Sequence, residues 1–215
     1  MQEKSYIWTV FFMKKRFFLW VLLVAFTALV LGSVETLWTQ QTLAEKTVRL
    51  HVVANSDSEA DQAQKLRIRD AVLAEVSALT ASCTDAQAAR AVLSAHLSEV
   101  EAAASAAMTA EEQPYPVAVS LGVEEFPTRD YDTFTLPAGS YPALRVSIGA
   151  AGGHNWWCVV FPSLCTAATT DALKTCAEAG GMENSETELI TGGEEAYTLR
   201  FKSFEWLQQL IDWIS

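Results

Sequence analysis

The sequence predicts an α+β fold: a mostly antiparallel sheet packed against N-terminal helices and a C-terminal helix, preceded by a signal peptide or membrane anchor. Three observations carry this reading. An uncharged apolar run follows a basic cluster near the start, apolar residues recur at helical spacing between residues 57 and 108, and from Tyr115 the period drops to two.

Composition sets the outer limits. With 215 residues, 50% apolar and 19% charged, the chain suits one folded domain plus an appendage and is neither disordered nor of low complexity. A chain this long buries a sizeable core without metals. Its charge is uneven. Lys4, Lys14, Lys15 and Arg16 outnumber Glu3 and Glu35 in residues 1–40, a net of +2, so with −11 overall the remainder carries −13. So acidic a body repels phosphate backbones and anionic lipid, which argues against a nucleic-acid partner and against charge-held membrane association.

Phe17 to Leu31 is fifteen residues without a charge, directly behind Lys14, Lys15 and Arg16. This is the layout of a secretory signal, with Val30 and Gly32 acceptable at the −3 and −1 positions of a cleavage site. The run is short for a span of about 20 residues, yet Val34 and the Leu37-Trp38 pair would extend it into an uncleaved anchor. Both outcomes stay open. Either way the basic flank stays cytoplasmic and the acidic body is exported. No cysteine stands directly behind the apolar run, which argues against a lipoprotein. The expected division is an extension at 1–12 upstream of a start at Met13, a signal or anchor at 13–34, a linker at 35–46 and one α+β domain at 47–215.

Within that domain, Val48-Arg-Leu-His-Val-Val-Ala54 reads as a strand with burial on both faces. Ser56 and Glu59 have capping-box spacing and predict a helix from about Asp57 to Leu79. Placed 100° apart, Ile68, Val72, Val76 and Leu79 share one face. Arg69 falls inside that stripe, where a guanidinium either pairs with a carboxylate or contacts a partner. Thr84 and Gln87 mark a second helix running to about Met108, with Val92, Leu93, His96, Leu97 and Val100 inward and His96 a core histidine.

Segments 117–121, 132–136, 143–148 and 156–161 read as successive strands of an antiparallel meander, separated by Pro- and Gly-containing turns. A polar, acidic stretch at 166–196 holds a short helix around 172–179. Tyr197 to Phe201 predicts a last strand, and Ser203 caps a closing helix striped by Leu207, Leu210, Ile211 and Ile214.

The chemistry is sparse. There is no Gly-rich phosphate loop, no GxSxG and no HExxH. Four cysteines without a CxxC and three histidines (His51, His96, His154) give no zinc spacing, so neither metal nor cofactor is expected. Cys158 and Cys165 flank Pro162, and a turn there brings them within bonding distance; they are either a disulfide in an oxidising compartment or two buried thiols. The one enzymatic grouping is Gly153-His154-Asn-Trp-Trp-Cys158, which supplies the residue types of a cysteine hydrolase. Along an extended segment, however, Cys158 and His154 stand roughly 13 Å apart, outside proton-transfer reach. Asn55 and Asp57, in the loop after the first strand, and His154, Asn155, Trp156 and Trp157 carry side chains that core packing does not require. They are the candidate partner contacts.

Several motifs resemble the stage II sporulation protein R family. They are His51-Val-Val-Ala-Asn-Ser-Asp-Ser58, Lys65-Leu-Arg-Ile-Arg-Asp70, Tyr141-Pro-Ala-Leu-Arg-Val-Ser-Ile-Gly149 and Asn155-Trp-Trp-Cys-Val-Val-Phe-Pro-Ser-Leu-Cys165, with a Phe204-Glu-Trp-Leu ending. The alanine-rich helix and residues 166–196 match poorly. The resemblance implies a non-enzymatic signal made in the forespore and exported into the space between the two membranes. There it activates a membrane-bound aspartic protease that cleaves a mother-cell sigma-factor precursor.

Overall fold

The computed structural model describes residues 41–108, 114–166 and 169–191, with scattered positions between 18 and 38. Apart from those positions the expected signal segment lies outside the described residues, as do the predicted strand at 197–201 and the closing helix from Ser203. Among the described residues no helix is long and apolar enough to cross a membrane.

The chain runs β1 (Val48–Val53), α1 (Glu59–Thr80), α2 (Ala86–Ala95), α3 (Leu97–Ala106) and β2 (Val117–Phe126). It continues through β3 (Arg129–Asp130), β4 (Thr135–Leu136), β5 (Gly139–Ile148) and β6 (Asn155–Phe161). A 3-10 turn at Leu164–Thr166, α4 (Thr170–Ala179) and α5 (Asn184–Thr191) follow. This is the mixed α and β architecture expected from the sequence.

The strand order is β2-β5-β1-β6, with β3 and β4 forming a separate small hairpin. β1 runs parallel to β5 and antiparallel to β6, and β2 runs antiparallel to β5. The expected meander is therefore corrected: β5 and β6 are not neighbours, because β1 lies between them. All six residues of β1 are buried, as a central strand covered on both faces requires. The 132–136 strand shrinks to Thr135–Leu136, paired with Arg129–Asp130.

Helices α1 to α3 cover one face. Leu50 and Val52 of β1, Leu144 and Val146 of β5 and Val160 of β6 pack there against Ile68, Val72, Val76, Leu93 and Val100. Full burial of one such side chain is worth about 1.5–3 kcal/mol. Part of the other face is covered by residues 41–45, the β3–β4 hairpin, α4 and α5, through Leu43, Leu136, Val159, Leu173 and Ile190. Lys46 ties this layer to α5 through Glu186 at 2.8 Å.

Local expectations shift at several points. Ser58, not Ser56, caps α1 by accepting from the Asp61 amide, and Asp85, not Thr84, caps α2 by accepting from Ala88. In each case the side chain three residues before the free amide takes the cap, which moves the helix start by one or two positions. The long second helix breaks at His96, whose Nδ1 lies 2.7 Å from the Val92 carbonyl; His96 is half-buried at that joint rather than in the core. The stretch 166–196 holds α5 as well as the expected short helix.

Candidate functional site

The loop leaving β1 and the glycine-containing loop entering β6 are laced together. Asn55 Oδ1 accepts from the Ala150 amide at 2.9 Å, while its Nδ2 donates to Asp61 Oδ2 at 2.9 Å. Gly152 and Gly153 donate to the Asn55 and Ala54 carbonyls. Two glycines make this approach possible. A Cβ on Gly149, whose φ is +57°, would lie 2.3 Å from Asn55 Oδ1, and one on Gly153 would lie 2.3 Å from the Ser56 carbonyl oxygen.

Charge is held inside this clasp. Ser56 Oγ donates to Asp61 Oδ2 at 2.5 Å, and the hydrogen bonds from Ser56 and then Asn55 hold the Asp61 carboxyl below the usual carboxylate range. Lys65, 5% exposed, donates to Gln62 Oε1 at 2.6 Å and to the His154 carbonyl at 3.1 Å. Burial pulls the Lys65 ammonium below its ordinary value.

Beyond the clasp, Asp57 and His154 meet through Oδ1 and Nδ1 at 2.5 Å. The two tryptophans point to opposite faces of β6, as strand geometry requires; neither belongs to the core beneath the helices, and Trp157 packs against Phe126, Tyr141 and Ala143 on the other face. Trp156 is 36% exposed, with the Arg69 guanidinium 4.4 Å from its ring centre. Arg69 also pairs with Asp70 at 2.7 Å. Trp157, half-buried, has the Arg129 guanidinium 3.9 Å from its ring on one side and stacks on His51 at 5.7 Å on the other. Asp57, His154, Asn155, Trp156 and Trp157 line an open cleft of roughly 620 Å³, opposite Arg129, Asp130 and Tyr131 of the hairpin.

The sheet face carrying Trp157 holds a polar network that motif reading did not single out. His51 Nδ1 lies 2.6 Å from Glu124 Oε2 and its Nε2 lies 2.9 Å from Asn155 Oδ1. Arg145 Nη1 donates to Glu124 Oε1 at 3.3 Å. Arg49, fully buried, lies against Phe126 and Tyr141 and donates from Nη2 to Tyr131 Oη at 2.9 Å. Burial pushes the Tyr131 phenol up to about 12. The signal for this face was present in the sequence. Arg49 and His51 alternate in β1, as Arg145 and Ser147 do in β5, and period two puts them on one side.

Among the described residues Cys158 is partnered by Cys165, and His154 by Asp57. Cys158 is 2% exposed, and its hydrogen bond to Cys165 together with burial holds its thiol well above the ordinary value. Cys165 is held lower by the same bond, and its Sγ accepts from the Val159 amide at 3.1 Å. The imidazole of His154 engages Asp57. The turn after β6 therefore brings Cys158 and Cys165 into mutual contact as the spacing suggested, and both are free thiols in this structure. Among the described residues no group of three or more His, Cys, Asp or Glu is placed to hold a metal.

Comparison with known proteins gives one consistent answer. A profile described as stage II sporulation protein R matches residues 44–171, a span that includes both loops, the cleft and the polar face. The chain is 38% identical over 123 residues to the stage II sporulation protein R of Bacillus subtilis (strain 168), covering 57% of this chain and 55% of that relative. The chain thus spans about half the length of the curated relative it matches. No solved structure matches.

Proposed function

This chain belongs to the stage II sporulation protein R family, and from that membership we propose that it is an exported signal between the two compartments of a sporulating cell. It activates a membrane-bound aspartic protease on the extracytoplasmic side, and that protease then cleaves a mother-cell sigma-factor precursor. The N-terminal segment delivers the acidic body across the membrane, either released by cleavage or held as an anchor. The chain itself is not an enzyme in this reading; it works by binding.

The observation that carries the proposal is the surface at the β6 entry. Two tryptophans, each with an arginine guanidinium over its ring, line a cleft fixed to α1 by the Asn55–Asp61 clasp. Aromatic and arginine side chains on a rigid mount are the usual make-up of an interface hot spot. An activator needs only to bind the active form of its target better than the inactive one.

The test is complementation. In a sporulating host lacking its own family member, this chain restores processing of the sigma-factor precursor, read as the ratio of processed to unprocessed protein on an immunoblot. Unprocessed precursor in cells that export folded protein overturns the reading.

A further inference from the structure

The two sulfurs at the turn after β6 differ in what surrounds them. Cys158 is 2% exposed, and its thiol has the Val159 carbonyl at 3.6 Å as well as Cys165 to donate to. Cys165 is half-buried and accepts instead: the Val159 amide donates to its Sγ at 3.1 Å, and the Cys158 thiol lies against it. One sulfur keeps its proton and the other collects donors, an arrangement that favours a thiolate at Cys165.

A buried cation adds to this asymmetry. Arg49 pairs with Val159 across β1 and β6. Its guanidinium is fully buried, reaches Tyr131 Oη from Nη2, and leaves Nε and Nη1 without a hydrogen-bond partner among the described residues. A buried charge so incompletely paired favours an anion near it. Tyr131 is not that anion, because its phenol is pushed up to about 12 and its Oη donates to the Trp157 carbonyl. The hydrogen bond from Cys158, and after it the Val159 amide and the Arg49 charge, draw the Cys165 thiol below its ordinary value against the opposing effect of burial.

We infer that Cys165 is a reactive thiolate at which an external disulfide enters the chain, and that Cys158 is the resolving thiol behind it. The Cys165 sulfur attacks one sulfur of the external disulfide. That S–S bond breaks, and the released thiolate takes up the proton that Cys165 gave to solvent. Cys158 then gives up its own proton and attacks the Cys165 sulfur. The mixed disulfide breaks, the second external thiolate leaves with that proton, and a Cys158–Cys165 bond remains. Two protein thiols are oxidised, and one external disulfide is reduced to two thiols.

The test uses the purified full chain with Cys83 and Cys176 replaced by serine, and an aromatic disulfide whose released thiolate is coloured. Adding Cys158→Ser, which keeps a donor toward Cys165, should trap a mixed disulfide on Cys165, located by peptide mass spectrometry. The parent should release twice as much coloured thiolate and retain no adduct. Cys165→Ser should react at least about tenfold more slowly than Cys158→Ser. Equal rates, or faster reaction at Cys158, overturn the inference. The pH profile separates a thiolate from a merely reachable thiol. The rate for Cys158→Ser should reach half its plateau at a lower pH in the folded chain than in the same chain unfolded in urea. A midpoint as high as that of the unfolded chain, or no reaction of the folded chain, overturns the assignment. If Cys165→Ser does not fold, the pH comparison decides alone.

Discussion

The carboxylate of Asp57 holds His154 twice across ninety-seven residues of sequence, accepting from its backbone amide at 2.6 Å and engaging its imidazole Nδ1 at 2.5 Å. The backbone bond needs only the aspartate, whereas the side-chain pair needs both partners and is exposed to solvent. Asp57→Ala should therefore cost about 1–2 kcal/mol, and His154→Ala less than about 1 kcal/mol. Urea titration of both variants checks the ordering, and a larger loss for His154→Ala would show that the imidazole dominates.

Gly149 and Gly122 predict opposite outcomes for the same substitution. Gly149→Ala forces a Cβ into Asn55 Oδ1 at a positive φ, whereas Gly122→Ala meets nothing within 4 Å. The first should lower stability by at least about 1–2 kcal/mol, and the second should change it by less than about 1 kcal/mol. Thermal melts of the two variants side by side test this.

Asp61 makes the clasp sensitive to acid. Its carboxyl is depressed below the ordinary value of 3.8 by Ser56 and Asn55, so the folded state binds its proton more weakly than the unfolded chain does. The resulting stabilisation is complete above that ordinary value and is lost as the pH falls below it. Asp61→Asn should be less stable than wild type at neutral pH and should lose less stability between pH 5 and pH 3. Parallel acid limbs in the two proteins would exclude this role.

Cys158 and Cys165 are expected to join once the protein is in an oxidising compartment. Closing an eight-residue loop stabilises the fold by about 2.5 kcal/mol on the chain-entropy model. Intact-mass and peptide spectra of unreduced exported protein check it, and free thiols at both positions rule it out.

Trp156→Ala or Trp157→Ala should abolish activation while export and folding persist. Truncating a hot spot costs at least about 2 kcal/mol, roughly thirtyfold in affinity. Precursor processing gives the activity and circular dichroism gives the fold. Full activity in every exported, folded variant at Asn55, Asp57, His154, Asn155, Trp156 and Trp157 would remove this surface from the signal.

The sequence by itself determined the fold class, the helical stripe of Ile68, Val72 and Val76, and the identity of most elements, because burial periodicity is a local property of the chain. It also singled out five of the residues that line the cleft, since adjacent tryptophans on a strand cannot both face one core. Only the tertiary structure decided that β1 enters the sheet between β5 and β6, because strand order depends on which long-range pairing buries most surface and leaves no local trace. The same insertion aligned Arg49 and His51 with Arg145, Glu124 and Asn155, residues far apart in the chain, into one polar face. The β3–β4 hairpin, too short to stand out by period, supplies a wall of the cleft by placing Arg129 over Trp157.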